Sequence, residues 1–477
     1  MHVHFVAIAG TGMGSLAGLL KSRGHEVTGS DEGVYPPMST ALERWGIPVR
    51  IGFAAENVTR RRPDLVVIGN AVRPDNPEAR AAIDGGLQTS SFPDALYHHA
   101  IRGKHSVVVT GTHGKTTTTS LVATLLDACG RDPSLLVGGI TANFDGSFRD
   151  GGGPEFVVEG DEYDTAFFDK TPKFLHYHPD TLVLTSIEFD HADIYRDLAH
   201  IEGAFRELVA GRRADATILA AAGSESIDRV VARAPCAVRR YGVEHAGAAI
   251  EARGLDATPE GTSFTLVEDG VEIGRGRIAA HGRINVENAL AAIGVLRARG
   301  VPAGDALAAL PEWRGVRRRQ EVRGEAGGVT VVDDFAHHPT AVRATLEALR
   351  ARFPGRRLVA VFEPRSNTSR RAVFQQAYST AFAGADHVVV QEVDDAPIYS
   401  AFGEVAERLD AGRLAAAIQA RGTPAQACAD VDAIVAHLGR FCAPGDVVVT
   451  LSNGSFGGIW DALLERLAAA APASVDR

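Results

Sequence analysis

The octapeptide Thr110-Gly111-Thr112-His113-Gly114-Lys115-Thr116-Thr117 constrains this chain more than any other feature. It follows the apolar run Ser106-Val107-Val108-Val109 and leads into a stretch with helical character that begins near Thr116. A strand that feeds a helix through a glycine-rich turn belongs to a βα unit, whose neighbouring strand is parallel and reached by a crossover. The turn itself is suited to anions. Glycines let backbone N–H groups face phosphate oxygens, and the helix N-terminus adds partial positive charge. Lys115 can neutralise β/γ-phosphate charge and the Thr116 hydroxyl can ligate Mg²⁺. Val109 stands where the G-x4-G-K-[ST] pattern has its first glycine, so an ordinary strand-to-helix turn is the competing reading.

With 477 residues the chain is too long for one ordinary core and suits two or three domains. The βα rhythm restarts twice, which predicts an α/β protein of three parts. These are a Rossmann-like part over 1–104, a central parallel sheet of P-loop ATPase type with a small β-rich portion over 105–313, and a second Rossmann-like part over 314–477. Strands are expected at 3–8, 26–29 and 64–68, with a helix near 15–23. In the centre they are expected at 106–109, 155–159 and 181–187, with short alternating strands between 241 and 280 and a hairpin turn at Glu268-Asp269-Gly270. The Pro-, Gly- and Arg-rich stretch 311–319 reads as a hinge. Strands at 329–332, 358–362, 387–390 and 447–451 follow, Pro339 suits the first turn of a helix, and the alanine-rich tail after Leu467 is expected to fray.

A formal net charge of −10 and the lack of a basic stripe argue against a nucleic-acid binder. Cys129, Cys236, Cys428 and Cys442 have no metal-ligand spacing and read as reduced, mostly buried thiols of a cytoplasmic protein. No apolar stretch is long enough to span a bilayer, so no membrane partner is expected.

Two carboxylate clusters follow the phosphate loop. Glu159 ends an apolar strand in Val157-Val158-Glu159-Gly160-Asp161-Glu162-Tyr163-Asp164, where ligands sit in open α/β sheets and where Mg²⁺ could be held. The next strand ends in Glu188-Phe189-Asp190-His191, which sends His191 toward the same crevice. Alone, either cluster reads as a solvated acidic loop. Near the N-terminus, Gly10-Thr11-Gly12-Met13-Gly14 follows the first strand and Asp31 ends the second. The glycine spacing departs from G-x-G-x-x-G. A nicotinamide-dependent dehydrogenase is the rival class, but it would leave the loop at Lys115 without a purpose.

The third part contributes Asp333-Asp334-Phe335-Ala336-His337-His338-Pro339 at a strand-to-helix junction, with Arg317-Arg318-Arg319 upstream, able to reach a γ-phosphate across the hinge. Together with Gly282-Arg283-Ile284-Asn285-Val286-Glu287-Asn288, these motifs resemble the Mur ligase family, which builds the peptide of bacterial cell walls, over nearly the whole chain. Further runs resemble the branch that attaches L-alanyl-γ-D-glutamyl-meso-diaminopimelate to UDP-N-acetylmuramate during wall recycling. They are Val34-Tyr35-Pro36-Pro37-Met38-Ser39-Thr40, Ile68-Gly69-Asn70-Ala71, Asp161-Glu162-Tyr163-Asp164-Thr165-Ala166-Phe167-Phe168-Asp169-Lys170, Glu363-Pro364-Arg365-Ser366-Asn367-Thr368 and Ser452-Asn453-Gly454-Ser455-Phe456-Gly457-Gly458.

The resemblance implies an ATP- and Mg²⁺-dependent carboxylate–amine ligase, working as a monomer or homodimer on UDP-N-acetylmuramate and a small peptide or amino acid. The alternative amine is L-alanine. It implies that Gly111, Thr112, His113, Gly114, Lys115, Thr116 and Thr117 hold ATP together with Asn285, Asn288, Arg318 and Arg319. Thr116, Glu159 and His191 would hold the metal. Gly10, Thr11, Gly12, Met13, Gly14, Asp31 and Asn70 would take the UDP-sugar, and His337, His338, Arg365, Asn367 and Asn453 the incoming amine. Lys115, His191, Arg319 and Asp334 carry the catalytic roles. Two positions depart from the family. Ile284 stands where relatives carry His, and no lysine follows Lys173, so the carbamylated lysine that many relatives use for a second Mg²⁺ has no counterpart.

Overall fold

Three large sheets and one two-stranded hairpin, Asp164–Ala166 with Asp169–Pro172, make up the computed structural model, which describes residues 1–405 and 407–470. The tail expected to fray lies, from residue 471 onward, outside the described residues.

The first sheet has five parallel strands in the order Val49–Ile51, Glu26–Asp31, His2–Val6, Leu65–Ile68, Thr89–Ser91. Strand order changes direction between His2–Val6 and Leu65–Ile68, which opens a crevice beyond their carboxyl ends. The helix there, Thr11–Ser22, starts inside the glycine-rich turn, earlier than expected.

The central sheet has ten strands. From one edge these are Val271–Ile278, Gly261–Glu268, Ile250–Thr258, Ala237–Val243, Thr217–Ala221 and Thr181–Leu184, followed by His105–Thr110, Glu155–Gly160, Ser134–Thr141 and Gly146–Arg149. Only the outer hairpins are antiparallel. The β-rich portion is therefore an extension of the parallel sheet, because Tyr241–Val243 pairs in parallel with Ile250–Ala252. Asp269 and Gly270 both have positive φ, 49° and 83°, the pattern of the tight turn expected there. Most important for function, Thr110 lies opposite both Gly160 and Leu184. The phosphate loop, the Glu159 strand and the strand leading to His191 thus end side by side.

The third sheet has six strands in the order Glu321–Ala326, Val329–Asp334, Val447–Leu451, Leu358–Phe362, His387–Gln391, Ala425–Cys428, parallel except for the first pair. Asp334 and Phe362 both sit opposite Leu451, so Asp334, Glu363 and Ser452 share one rim.

The two joints differ in chemistry. Between the first and central sheets the apolar core is continuous. Phe148 packs edge-on to Trp45 at 5.1 Å and against Gly18, where even a Cβ would meet its ring at 2.4 Å. Ser15 and Ser147 hydroxyls meet at 2.6 Å. The joint to the third sheet is largely polar. The Thr368 hydroxyl accepts from Ala192 N, the Asn367 amide donates to Asp193, and Thr340 donates to Glu188. Segments joined by such contacts separate more readily than a shared apolar core.

The expected hinge is only partly free. Trp313 is buried with its indole N–H on Ser120, and Gly315 and Arg317 exchange backbone hydrogen bonds with Ala142 and Ile140. The unusual backbone comes next, with Arg318 and Gln320 at φ 62° and 51°. All four cysteines are free and half-buried, less buried than expected. Among the described residues, no helix is long and apolar enough to cross a membrane.

Candidate functional site

The helix Lys115–Ala128 begins at Gly114, whose φ of 79° and lack of a side-chain cap leave the first N–H groups of the helix without side-chain acceptors. Gly114 is closely covered, since a Cβ there would lie 2.6 Å from Asn288 Oδ1. Asn288 also accepts from Thr118 at 3.0 Å and donates to Asn285 at 3.3 Å, so Asn288 braces the turn and Asn285 supports it from behind. Two of the loop's N–H groups are taken by the neighbouring strand's continuation. Thr112 N donates to Ser186 O and His113 N to the Ser186 hydroxyl, because the parallel neighbour strand runs on alongside the loop. The N–H groups left open are those from Gly114 to Thr117, where the helix dipole is strongest.

Lys115 is almost buried and its ammonium rests on Glu162 at 2.8 and 3.0 Å and on Gly111 O at 2.7 Å. Glu162 also meets His191 Nε2 at 2.9 Å. Tyr195 OH donates to the Glu162 carbonyl, fixing that turn. Burial alone would lower the Lys115 pKa, but Glu162 and Asp161 override it and raise it. Burial would likewise raise Glu162, yet Lys115 and His191 hold it low. His191, left-handed at φ 52°, would be lowered by burial, but the Asp190 charge and the Glu162 hydrogen bond lift it to about 9. Three charges thus form one desolvated chain, Lys115–Glu162–His191. Sequence reasoning placed Glu162 in an acidic run but gave it no role. Its signal was its position three residues past Glu159, across a turn from the loop.

Glu159 lies beside the loop, accepting from the Thr116 hydroxyl at 3.0 and 3.2 Å and from Gly138 N at 2.9 Å. Thr116 and Glu159 are thus together, while His191 reaches Glu162 instead of Glu159. A hydroxyl and a carboxylate facing each other across a phosphate loop form the hard oxygen donor set that suits Mg²⁺, and the residues fit that ion. The arginines after His191 serve elsewhere, Arg196 stacking over Phe402 at 5.1 Å and Arg206 pairing with Glu202.

The three consecutive arginines divide. Arg319 crosses from the third part to within 3.3 Å of Thr116 Oγ1 and stacks over Phe335 at 4.5 Å. Arg318 is engaged within the third part. Its positive φ turns it back to Asp333 at 3.0 Å and to Ser452 O at 2.9 Å. Arg317 is half-exposed toward Asp145. Asp334 is fully engaged, accepting from Gln320 N and Ala336 N at 2.8 Å and from the Thr345 hydroxyl at 3.1 Å, which makes it a brace for the 318–320 turn. Burial raises its pKa, and that of Asp333 to about 6.

In the first part, Asp31 accepts from Ala9 N at 2.8 Å and so fixes the glycine-rich turn. A Cβ on Gly14 would lie 2.2 Å from Met38 Sδ, and Met13 is buried next to Gly69. The glycine-rich turn, Asp31 and Gly69 thus gather at the carboxyl ends of their strands, and Asn70 follows Gly69 in the chain. In the third part, Arg365 lies across Gly454, where a Cβ would be 2.2 Å from its Cδ, and beside Glu363 at 3.7 Å. Asn453 Oδ1 is buried with no partner. Asn367 is held in the domain seam by Asp193. His337 places Nδ1 3.0 Å from Phe335 O, and His338 caps the helix Pro339–Arg352.

Comparison with known proteins gives the same extent of likeness. Residues 2–104 match the Mur ligase family catalytic domain, 109–296 the Mur ligase middle domain, and 318–454 the Mur ligase glutamate ligase domain. The chain is 40% identical over 475 residues to the UDP-N-acetylmuramate–L-alanyl-γ-D-glutamyl-meso-2,6-diaminoheptandioate ligase of Escherichia coli, covering 99% of this chain and 100% of that one. It is 38% identical over 467 residues to the UDP-N-acetylmuramate–L-alanine ligase of Gloeobacter violaceus, covering 97% and 95%. The crystal structure of a murein peptide ligase from Psychrobacter arcticus superposes with a TM-score of 0.72 at 33% identity, over 98% of this chain and 99% of that one.

Proposed function

The chain belongs to the Mur ligase family, and from that premise we propose that it joins UDP-N-acetylmuramate to L-alanyl-γ-D-glutamyl-meso-diaminopimelate. It is an ATP-dependent ligase that forms a C–N bond. The observation that carries the choice of amine is the end-to-end 40% identity to the E. coli tripeptide ligase. Identity of 38% to an L-alanine ligase makes L-alanine the second reading.

In this reaction the lactyl carboxylate attacks the γ-phosphorus of ATP, ADP leaves, and an acyl phosphate forms. The peptide amine then attacks the acyl carbon and phosphate departs. Two anions meet in the first step, so positive charge aimed at the transferring phosphoryl group dominates the catalysis. Lys115 and Arg319 converge on the loop from two domains and supply that charge. Glu162 stands as the ammonium's counter-charge until phosphate oxygens replace it. Thr116 and Glu159 would hold Mg²⁺, with His191 joining them on release from Glu162, and the ion would supply further neutralisation of the phosphates.

Residues 1–104 take the UDP-sugar at the crevice of Gly10 to Gly14, Asp31 and Asn70. The central part takes ATP, with Asn285 and Asn288 supporting the loop, and the third part takes the amine at the rim of Arg365 and Asn453. The third part pivots at 318–320, which the positive φ values there support. Phosphate release from ATP with UDP-N-acetylmuramate and a panel of amines tests the reading. Tripeptide-dependent release well above that with L-alanine supports it, and the reverse preference installs the second reading.

A further inference from the structure

His113 of the phosphate loop and Glu188 of the next strand end face His338, which comes from the third part of the chain. Glu188 Oε2 lies 3.7 Å from His113 Nε2 and 3.8 Å from His338 Nδ1, and all three donor atoms fall within 4.8 Å of one another. We propose that these three residues form a binding site for one borderline divalent transition ion of the Zn²⁺ type, which clamps the third part against the phosphate loop.

The two imidazoles are prepared for this task. The His113 ring is 9% exposed and its Nε2 is buried with no hydrogen-bond partner, which is costly unless something is meant to meet it. His338 is 6% exposed, and its Nε2 lies 3.2 Å from Phe189 O. That carbonyl can only accept, so Nε2 carries the proton and Nδ1, 3.8 Å from Glu188 Oε2, keeps its lone pair. A histidine whose other nitrogen donates to a backbone carbonyl is the usual arrangement around metal ligands. The Nδ1 lone pair is met by Thr340 N at 3.2 Å, a long contact that a metal can displace. The Thr340 hydroxyl, 2.6 Å from Glu188, orients the carboxylate.

Size and softness select the ion. Tetrahedral ligands at about 2.0–2.2 Å from Zn²⁺ are roughly 3.4 Å apart, so separations of 3.7 and 3.8 Å need only small adjustments, and the two imidazole nitrogens, within 4.8 Å of each other, close by a ring rotation. Two nitrogen donors favour Zn²⁺ over Mg²⁺, which prefers oxygen. The site is thus chemically separate from the oxygen set of Thr116 and Glu159. The cluster of Asp94, Asp169 and His176 lacks these qualities, since both nitrogens of His176 already face carboxylates at 2.7 and 3.4 Å.

The test is calorimetric titration of the full chain with ZnCl₂ in saturating Mg²⁺, repeated on Glu188→Gln and His338→Asn. Gln keeps the contact to Thr340, and Asn keeps a helix cap, so thermal melting should confirm both folds. One Zn²⁺ site in the wild type, weakened at least about tenfold in both variants, is expected. Zinc-edge anomalous diffraction should place the ion among the three side chains. Binding unchanged in Glu188→Gln, or an anomalous peak only at Thr116 and Glu159, overturns the proposal. If His338→Asn fails to fold, the Glu188→Gln titration decides alone.

Discussion

Replacing Glu162 by Gln isolates the charge that holds Lys115 in the phosphate loop. The carboxylate takes two contacts from Lys115, at 2.8 and 3.0 Å, and one from His191 at 2.9 Å. Only 2% of the Glu162 side chain and 13% of the lysine's is exposed. Removing one member of a buried ion pair costs about 3–5 kcal/mol, because the remaining charge has no counter-charge. The amide oxygen and the Gly111 carbonyl, 2.7 Å from the ammonium, still accept hydrogen bonds. The expected loss is therefore at the lower end, about 3 kcal/mol. For a cooperative unit the size of the central part this corresponds to a fall in Tm of roughly 6–12 °C. Phosphate oxygens can replace the missing charge, so saturating ATP should recover part of the loss. Differential scanning calorimetry with and without ATP measures both effects. A fall smaller than about 2 °C, or one that ATP leaves untouched, refutes the view of Glu162 as the stand-in for phosphate.

Lys115→Met should lower ligation by at least about 10²–10³-fold, since it removes positive charge at the transferring phosphoryl group; unchanged phosphate release removes Lys115 from the catalytic set. Burial, with the His113 charge added, lowers the His338 pKa to about 4, so the unfolded chain binds this proton more readily between about 6.5 and 4. Its contribution is thus present above pH 6.5 and lost as pH falls toward 4. The Tm difference between wild type and His338→Asn should narrow over that interval, and a constant difference contradicts the assignment. Gly282 has φ 88° and its Cβ would lie 2.7 Å from Ala348 Cβ across the polar seam. Gly282→Val should open that seam and expand the particle in small-angle scattering, and an unchanged radius of gyration argues against a closed seam in solution.

The phosphate loop, the strand carrying Glu159 and the strand leading to His191, which ends at Leu184 and not at 187, were legible because each is an apolar run ending in chemistry, and such runs dominate a parallel sheet. Edge strands were not. Val49–Ile51 and Thr89–Ser91 have three residues each and too little apolar pattern to register. The hairpin of Asp164–Ala166 and Asp169–Pro172 is similarly short and polar. The split between Arg318 and Arg319 was invisible for another reason. Identical neighbours diverge because the backbone turns at Arg318, a turn held by Glu321 on Arg318 N and by Asp334 on Gln320 N. The Lys115–Glu162–His191 chain joins residues 47 and 29 positions apart. Such a pairing follows from strand order, not from spacing. The ATP-type loop was thus readable residue by residue, whereas the charge network that prepares it required the fold.

The most direct test of the central claim follows one oxygen atom. UDP-N-acetylmuramate labelled with ¹⁸O in its lactyl carboxylate is incubated with ATP, Mg²⁺ and the tripeptide, and the products are weighed by mass spectrometry. Carboxylate attack on the γ-phosphorus predicts one ¹⁸O in the inorganic phosphate, ADP as the nucleotide product, and one ¹⁸O retained in the new amide. Unlabelled phosphate, or AMP and pyrophosphate as products, would contradict it.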